Sequence, residues 1–545
     1  MKKNRYIYIG LMAALLCSVS SCKKQLDVKN PNSPTLSDAE NESGLISLAS
    51  GSVYINGFHN GDDWLGNSYF SLPMGFHELL ADDVSAEAAN QNVNQVNIPA
   101  YVILDDGTKI SRSSDQKTNL RINNTRDKRG SNMFYYEWTN MYAMNNALNQ
   151  ILVLIDGISF SGDATAKKNT VKAWCYWWKG YAYAKLGSVY YAGLINDQPN
   201  VVNSAYVNSA ALIAESNKNL DQAAALLTGI TNTADYTNVM SLMLPVPSQT
   251  GKGVVPTPAM FIHSINTMKA RNILANKRVS DMTSAEWTSI LTLVNTGVTA
   301  SDNVFTGRTN ASNTNGWFDA NGGSVASLTS GSNVVATFKI SERLVQEYKT
   351  GDKRLANNFG LSPYVNQVGG FTFSTRWQLF NAAQNTSPLN GAVVLATTNP
   401  GDYELFLAGC YEENELMKAE ALINTGQIEL GLASVDAVRN YQGAGLAAVA
   451  GTGLTLAAAK EELRRERRVA LLFRGTAFYD ARRWGVIDDV SKGGGRTNAV
   501  VYTSDGKLNT HATINYNFLD YFDVPADEVV LNPPGAGSAA VVNPN

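Results

Sequence analysis

Cysteine, histidine and charge are scarce in this chain, and each scarcity removes a class of function. The 545 residues include 4 Cys and 4 His, and only 17% are charged. So few cysteines provide neither a disulfide framework nor a CxxC metal motif. The four histidines form no HExxH pattern, and the sequence contains neither a GxSxG elbow nor a phosphate-binding glycine loop. The common sequence patterns of zinc proteases, serine hydrolases and nucleotide-binding enzymes are therefore missing.

Long apolar runs are also missing, apart from a short one near the start. Ile7–Leu16 ("IYIGLMAALL") follows three basic residues. A helix that crosses a bilayer needs about twenty apolar residues, so this segment predicts a secretory signal. The apolar segment is followed by Val19–Cys22 ("VSSC"), which resembles the bacterial lipobox. We therefore expect residues 1–21 to be removed and Cys22 to be lipidated, with two or more acyl chains giving stable membrane anchoring. The alternative is an ordinary signal peptide with a chance cysteine.

Removal of the signal changes the net charge and the number of cysteines in the mature chain. Loss of the three signal charges takes the net charge from −3 to −6, which argues against a nucleic-acid partner. Cys17 leaves with the signal, so Cys175 and Cys410 are the two free thiols. Both lie in apolar, helix-like surroundings, which favour two buried thiols over a disulfide. A disulfide would require their Cα atoms to lie within about 7 Å of each other.

The chain divides into a tether and one large body. Residues 22–45 are polar and contain two prolines, which predicts a flexible tether. Residues 46–545 are predicted to form a single domain in which helical segments alternate with loop-rich segments. Apolar residues at three- and four-residue spacing predict helices, for example over Asn169–Tyr191, 410–442 and 458–485. Segments rich in Gly, Asn, Ser and Thr predict loop-rich insertions around 56–130 and 300–400.

Two helical stretches have the character of tetratricopeptide repeats. Gly180–Gly187 ("GYAYAKLG") has the small residues that let paired helices approach closely, and Ala419–Ala433 has a helix, a turn at Gly426 and a second helix. Gly431 stands where such a repeat prefers alanine. We expect a mostly α-helical fold with a tetratricopeptide-like helical-repeat superhelix and a loop-rich ligand-binding region. The cluster Trp174, Trp177 and Trp178 has helical spacing and is expected in the core.

The C-terminal segment carries a family resemblance. Glu466–Gly485 ("ERRVALLFRGTAFYDARRWG") resembles the signature of the SusD/RagB outer-membrane lipoproteins of Bacteroidetes. It departs from that signature at Ala470 and Arg474, which replace glutamates, and at Ala477, which replaces an arginine. The positions that fit are Glu466, Arg467, Leu471, Phe473, Gly475, Asp480, Arg483, Trp484 and Gly485. "SCKKQLDVKNPN", "AEALINTGQ…AVRN" and "DYFDVPADEVVLNP" resemble other parts of the family in the same order.

This resemblance implies a fold, a function and a partner. Its members are non-enzymatic surface proteins that cover a SusC-like TonB-dependent transporter, capture a glycan or in some members a peptide, and pass it to the barrel. The expected location is the outer membrane, lipid-anchored and exposed at the cell surface. From the residues themselves, the arginines near Tyr479 and Trp484 predict a structural staple, in which guanidinium groups stack on rings and bond carbonyls. The alternative for these residues is a binding patch. Pairs of Arg465 with Glu461 and Glu462 are expected on one exposed helix face.

Aromatic side chains in polar loops are the candidate ligand contacts. Sugars are bound by aromatic faces against their C–H side and by amide or carboxylate groups on their hydroxyls. Two loops have this composition, "GDDWLGNSYF" and "TNGWFDANGG". The alternative for each aromatic residue is that it anchors its loop to the core. The candidate residues are Asp62, Trp64, Tyr69, Trp317, Phe318, Asp319 and, with weaker support, Trp377.

One acidic segment invites an enzymatic interpretation. "HELLADD" (His77–Asp83) places one imidazole and three carboxylates close together, but glycoside hydrolysis needs two carboxylates that face each other at about 5 to 10 Å. We expect these acids to be solvated on a helix. Asp62 and Asp63 are a weak Ca²⁺ signal, and no other cofactor or metal is indicated. Three functions stay open at this point: a glycan or peptide receptor, a surface glycan-degrading enzyme, and a helical-repeat scaffold that binds only proteins.

Overall fold

The computed structural model describes residues 39–54, 56, 73–86, 95–244, 255–304, 306–307, 338–364, 374–379, 405–406 and 409–545. The described part is mostly helical, which confirms the predicted fold class. The signal, Cys22 and most of the tether lie outside it. The helices are α1 (Glu42–Tyr54), α2 (Pro73–Leu80), α3 (Gln116–Asn123), α4 (Met133–Leu154), α5 (Ala164–Val189), α6 (Ser209–Thr228), α7 (Thr233–Met243), α8 (Pro258–Ala275), α9 (Ser284–Val294), α10 (Glu342–Val345), α11 (Lys353–Asn358), α12 (Tyr411–Asn424), α13 (Ile428–Tyr441), α14 (Leu456–Ala470), α15 (Ala477–Arg483) and α16 (Ala526–Leu531).

Consecutive helices pack in pairs along the molecule, as the repeat pattern predicts. Helix α5 lies between α4 and α6, α6 meets α8, and α8 leads through α9 to the pair α12–α13 and then to α14. The small residues of α5 are the reason for its close contact with α6. A Cβ on Gly180 would lie 2.7 Å from Leu220 Cγ, and one on Gly187 would lie 2.9 Å from Ile213 Cδ1.

In the pair α12–α13, glycine also allows the two helices to approach closely. Gly426 has φ +85° in the turn between the helices, a conformation that glycine adopts without steric cost. A Cβ on Gly431 would lie 2.6 Å from Ile423 Cγ1 and 2.7 Å from the Ala419 carbonyl oxygen. Glycine therefore replaces the alanine of the repeat pattern because the two helices approach too closely for a methyl group.

The predicted helix over 458–485 is wrong in its middle. Helix α14 ends at Ala470 and α15 begins at Ala477. Between them Phe473 has φ +57° and Gly475 has φ +69°, so the chain turns sharply. The Phe473 side chain is fully buried in the main core. Tertiary burial of this aromatic ring outweighs the helical pattern of the segment.

The strands of the described residues form two four-stranded sheets. One has the order β1 (Val84–Ala86), β7 (Phe338–Ile340), β9 (Thr375–Leu379), β8 (Phe359–Tyr364). The other has the order β11 (Arg496–Tyr502), β12 (Leu508–Asn515), β2 (Tyr101–Ile103), β3 (Lys109–Ser111). Two short pairs join β4 (Ala192–Gly193) to β5 (Val207–Asn208), and β10 (Leu405–Phe406) to β6 (Thr306–Gly307). Segments predicted as loops therefore contribute strands, and the chain packs helices against antiparallel sheets.

The main core joins the first helices to the C-terminal segments. Trp174, Trp177 and Trp178 are fully buried in it, as their spacing predicts. Smaller clusters lie between α8, α9 and α12 and between α12, α13 and α14. Cys175 and Cys410 are buried free thiols, and burial raises both pKa values, so they are inert, as expected. No helix within the described ranges has the length and apolarity needed to cross a membrane.

Candidate functional site

Most of the predicted ligand residues lie outside the described residues. These are Asp62, Trp64, Tyr69, Trp317, Phe318 and Asp319, together with Asp63 of the weak Ca²⁺ signal and the lipidation site Cys22. Their roles stay predictions.

Trp377 is described, and a sheet positions it. It lies on β9 opposite Ile340 and Leu361, and its half-buried ring packs against the main core. Its backbone N–H donates to Thr375 Oγ1 at 3.1 Å. Its indole Nε1 is buried without a hydrogen-bond partner among the described residues, so it keeps a free donor. The ring is thus held partly by the core, and its role as a ligand contact remains a prediction.

The acidic segment at His77–Asp83 is not solvated, which corrects the sequence-based expectation. His77, Glu78, Asp82 and Asp83 are each at most 2% exposed. Asp82 accepts hydrogen bonds from Arg343 Nη2 at 2.7 Å and from the Tyr516 hydroxyl at 2.6 Å. These partners lie hundreds of residues along the chain, beyond the reach of a local pattern. A substrate has no access to these carboxylates, because they are enclosed in the core.

The pKa values of this segment follow from burial and from the partners. Burial opposes the charged form of Asp82, but attraction to Arg343 outweighs it and lowers the pKa. For Asp83, burial outweighs the attraction of Arg468, and the pKa is raised. Burial and the neighbouring Asp83 raise the pKa of Glu78 well above its usual value. Burial also lowers the pKa of His77, although the contact with Glu137 at 2.8 Å opposes that shift.

The predicted arginine staple is confirmed in the C-terminal signature. Arg482 donates to the carbonyl oxygens of Ser188 and Ala275 at 2.7 and 2.8 Å, and its guanidinium lies 4.1 Å from the Tyr521 ring centroid. Arg483 pairs with both Asp480 and Glu420. Burial of these charges is tolerated because each has a bidentate or multiple partner. The signature is thus a structural element of the fold.

The predicted pairs of Arg465 with Glu461 and Glu462 are wrong. Glu461 instead accepts from Arg464 at 2.7 Å, and Glu462 accepts from Arg439 at 2.5 Å. Arg465 lies 3.8 Å from Glu347. Glu347 supplies a partner that lies far away in sequence, so the charges of this helix pair with a distant segment as well as with each other, and Glu461 remains 53% exposed.

Open clefts among the described residues are further places for a ligand, and two of them are large enough to consider. One, of about 650 Å³, lies beside the half-buried Trp484. Among its charged side chains, Arg278 pairs with Asp488 at 2.8 Å and Arg464 with Glu461 at 2.7 Å. Lys460 and Lys492 also line this cleft and are exposed, so the cleft is basic at these two positions.

The second cleft, here named the amide cleft, has about 330 Å³ between α4, the loop 194–203 and α16. The side chains of Tyr142, Val201, Val202, Glu528 and Leu531 line it. Its carboxamides are Asn145, Asn146, Asn196, Gln198, Asn203 and Asn532. A sequence search for an aromatic residue in a polar loop does not find this cleft. The dense amides of "NDQPNVVN" (Asn196–Asn203) are the signal that could have found it.

Comparison with known proteins identifies a family match and several similar folds. The SusD family model matches residues 413–534. A putative sugar binding protein from Bacteroides vulgatus is 16% identical, with 91% of this chain and 97% of that chain covered and a TM-score of 0.53. A SusD-like carbohydrate binding protein from the same species is 13% identical, with 92% and 98% covered and a TM-score of 0.53. A structure solved with a xylogluco-oligosaccharide is 13% identical, with 92% and 99% covered and a TM-score of 0.54.

No curated protein matches the chain significantly. At 13–16% identity, the structural likeness establishes the fold, while the family match rests on the C-terminal sequence. Residues 413–534 therefore belong to the SusD family, and the chain has the SusD fold.

Proposed function

We propose that this protein is an outer-membrane lipoprotein that binds a glycan at the cell surface and delivers it to a SusC-like TonB-dependent transporter. One observation carries the proposal: the chain combines a SusD family match with a fold shared by proteins described as sugar-binding, one of them solved with a xylogluco-oligosaccharide. Lipidation at Cys22 holds the body at the membrane. The loop aromatics Trp64 and Trp317, with their polar neighbours, form the glycan contact.

Binding without catalysis is the second part of the proposal. The acidic segment that most resembles catalytic machinery, His77–Asp83, is buried in ion pairs and hydrogen bonds and has no path to a substrate. Within the described ranges, no group of three or more His, Cys, Asp and Glu side chains is placed to hold a metal ion. A surface glycan-degrading enzyme and a peptide-binding member of the same family are the competing functions.

A binding assay with a turnover control separates these functions. The purified protein without its signal is titrated with xylogluco-oligosaccharide and other neutral oligosaccharides and with a peptide library, and the sugar is examined for cleavage products. We expect saturable oligosaccharide binding with no product. Product formation supports the enzyme, and peptide binding in place of sugar binding supports the peptide receptor.

The ligand residues are tested in the same assay. Replacement of Trp64 and Trp317 by Ala removes two aromatic faces, and each stacking face of this kind contributes about 1 kcal/mol. We expect oligosaccharide affinity to fall at least tenfold in the double variant. Leu242→Ala is the control, because Leu242 is 67% exposed on α7 and lies outside both predicted ligand loops. Unchanged affinity in the double variant contradicts the loop site.

A further inference from the structure

The amide cleft is already shaped for a ligand. The Asn196 carbonyl oxygen accepts hydrogen bonds from Asn145 Nδ2 at 2.9 Å, Asn149 Nδ2 at 2.8 Å and the Tyr183 hydroxyl at 3.1 Å. These three bonds fix the loop 194–203 to α4 and α5. A site that is ordered before binding loses less of its interaction free energy to the ordering of its side chains.

The opposite wall of the amide cleft is fixed as well. Asn532 Nδ2 donates to the Asn203 carbonyl oxygen at 2.7 Å, and the Tyr206 hydroxyl donates to the Asn532 carbonyl oxygen at 2.9 Å. Glu528 accepts from Asn532 Nδ2 at 3.0 Å. The C-terminal helix and the loop 194–203 thus form two rigid sides of one cleft.

The polar groups of the cleft suit hydroxyl-bearing ligands. Carboxamides both donate and accept, as sugar hydroxyls do. Those of Asn146 and Asn203 are already bonded within the protein and shape the cleft, which leaves the Gln198 carboxamide as the group that meets a ligand. The Oδ1 atoms of Asn145 and Asn196 are buried without a hydrogen-bond partner among the described residues, and the Gln198 side chain is exposed. The exposed Gln198 carboxamide therefore provides the donor and acceptor that a ligand hydroxyl can bond.

The remaining lining defines the charge and shape of the ligand. Val202 and Leu531 are 85% and 71% exposed, and together they provide apolar surface for the C–H face of a sugar ring. The Tyr142 ring adds a further apolar surface. No lysine or arginine is among the described residues that line the cleft, so an anionic ligand has no counter-charge there.

We propose that the amide cleft binds one or two units of a neutral saccharide, as a site separate from the loop aromatics Trp64 and Trp317. Its volume of about 330 Å³ is at the lower end of the range for small-molecule sites. The proposal rests on the proposed function, since both concern saccharide capture. It adds a second contact, through which a longer chain is held at two places.

The test uses two exposed cleft residues and a matched control. Gln198→Ala combined with Leu531→Ala removes a carboxamide and an aliphatic surface without disturbing the core. Leu242→Ala is the control, because Leu242 is 67% exposed on α7. Binding of glucose, galactose, mannose, xylose, cellobiose and xylogluco-oligosaccharide, with glucuronate as the anionic comparison, is measured by ligand-observed NMR and calorimetry.

We expect at least one neutral sugar to bind the wild-type protein and to lose at least tenfold in affinity in the cleft variant, while the Leu242→Ala protein is unchanged. Equal affinity of the cleft variant and the wild type for every sugar overturns the proposal. So does preferential binding of glucuronate, or the absence of binding by every probe.

A second variant distinguishes this proposal from the loop site. In protein with Trp64→Ala and Trp317→Ala, the amide cleft is intact, so residual saturable binding that disappears on adding the two cleft substitutions supports the cleft. If the loop variant alone abolishes all binding, the cleft proposal fails and the proposed function stands. If binding depends on the cleft residues alone, the loop site fails and the cleft proposal stands.

Discussion

At the scale of single residues, Glu347 shows how the buried charges stabilise the fold. It accepts hydrogen bonds from Arg464 at 2.9 and 2.8 Å and from Arg468 at 3.0 Å. Burial alone raises its pKa, but attraction to Arg468 and Arg464 outweighs that effect and lowers the pKa from 4.5 to about 2. We expect Glu347→Gln to lower the free energy of unfolding at pH 7 by about 3 kcal/mol.

The pH dependence of this effect has a definite sign. A carboxyl whose pKa is lowered by folding stabilises the protein above its unfolded pKa, and this contribution is lost as the pH falls from about 4.5 towards 2. The difference between wild type and Glu347→Gln in denaturant midpoint is therefore expected to shrink between pH 7 and pH 3. The control is Glu461→Gln, because Glu461 accepts from the same Arg464 but is 53% exposed. An exposed pair contributes less than about 1 kcal/mol, so equal losses in the two variants would contradict this account.

The same residues show why the site was harder to predict than the fold. Asp82 and Arg343 form a buried pair across 261 residues, and no local spacing reports such a partner. The sequence pattern predicted that the acids of His77–Asp83 are exposed to solvent, because charged side chains are normally exposed. Asp82 and Asp83 are buried instead because each is paired with an arginine, and burial of a charge is tolerated once a partner of opposite sign is in place.

At the scale of elements, Gly431 tests why the helices pair so closely. In a free helix, Gly→Ala stabilises by about 1 kcal/mol. Here the added Cβ meets the Ala419 carbonyl oxygen at 2.7 Å, a backbone atom that is unable to move aside without shifting α12. We expect Gly431→Ala to destabilise the protein by about 1 to 3 kcal/mol, measured as a lower thermal midpoint.

The matched control for Gly431 is Gly229 at the end of α6. Its φ is −80°, and an added Cβ would come no closer than 3.5 Å to the Leu226 carbonyl oxygen, its nearest neighbour. Gly229→Ala is expected to leave stability within about 0.5 kcal/mol of wild type or to raise it slightly. A stabilising Gly431→Ala would show that the interhelical contact relaxes at little cost.

Helices were the most predictable elements because their signals are local. The small residues of Gly180–Gly187 and the turn at Gly426 are enough to indicate the helix pairs from the sequence alone. The break at Phe473 was not predictable from "VALLFRG", because the apolar spacing continues through it. Burial of the Phe473 ring, a tertiary effect, determines that turn. The strands β8 and β9 were missed for a related reason, since glycine-rich flanks suggest loops and their partner strand lies elsewhere in the sequence.

At the scale of the whole molecule, contacts between distant segments support a body that is held together independently of its membrane attachment. Arg121 on α3 donates to Asp523 Oδ2 at 3.0 Å and to the Asn543 carbonyl oxygen at 2.5 Å. The C-terminal residues are thereby bound to an early helix. The proposed function places glycan binding in the body and membrane attachment at Cys22, so we expect each to survive the loss of the other.

The lipid anchor provides the corresponding test. Each acyl CH₂ that enters the bilayer contributes about 0.8 kcal/mol, so we expect the two or more acyl chains proposed at Cys22 to retain the protein at the membrane. The polar tether alone is expected to give no such affinity. Cys22→Ala is expected to release the protein from the membrane fraction with its oligosaccharide affinity unchanged. Cys17→Ala is the matched control, because Cys17 lies in the segment expected to be removed and its replacement should leave the protein membrane-bound. Mass spectrometry of the native N-terminal peptide should find acyl chains at Cys22, and an unmodified thiol there, or full retention of the Cys22→Ala protein in the membrane fraction, would contradict the anchor.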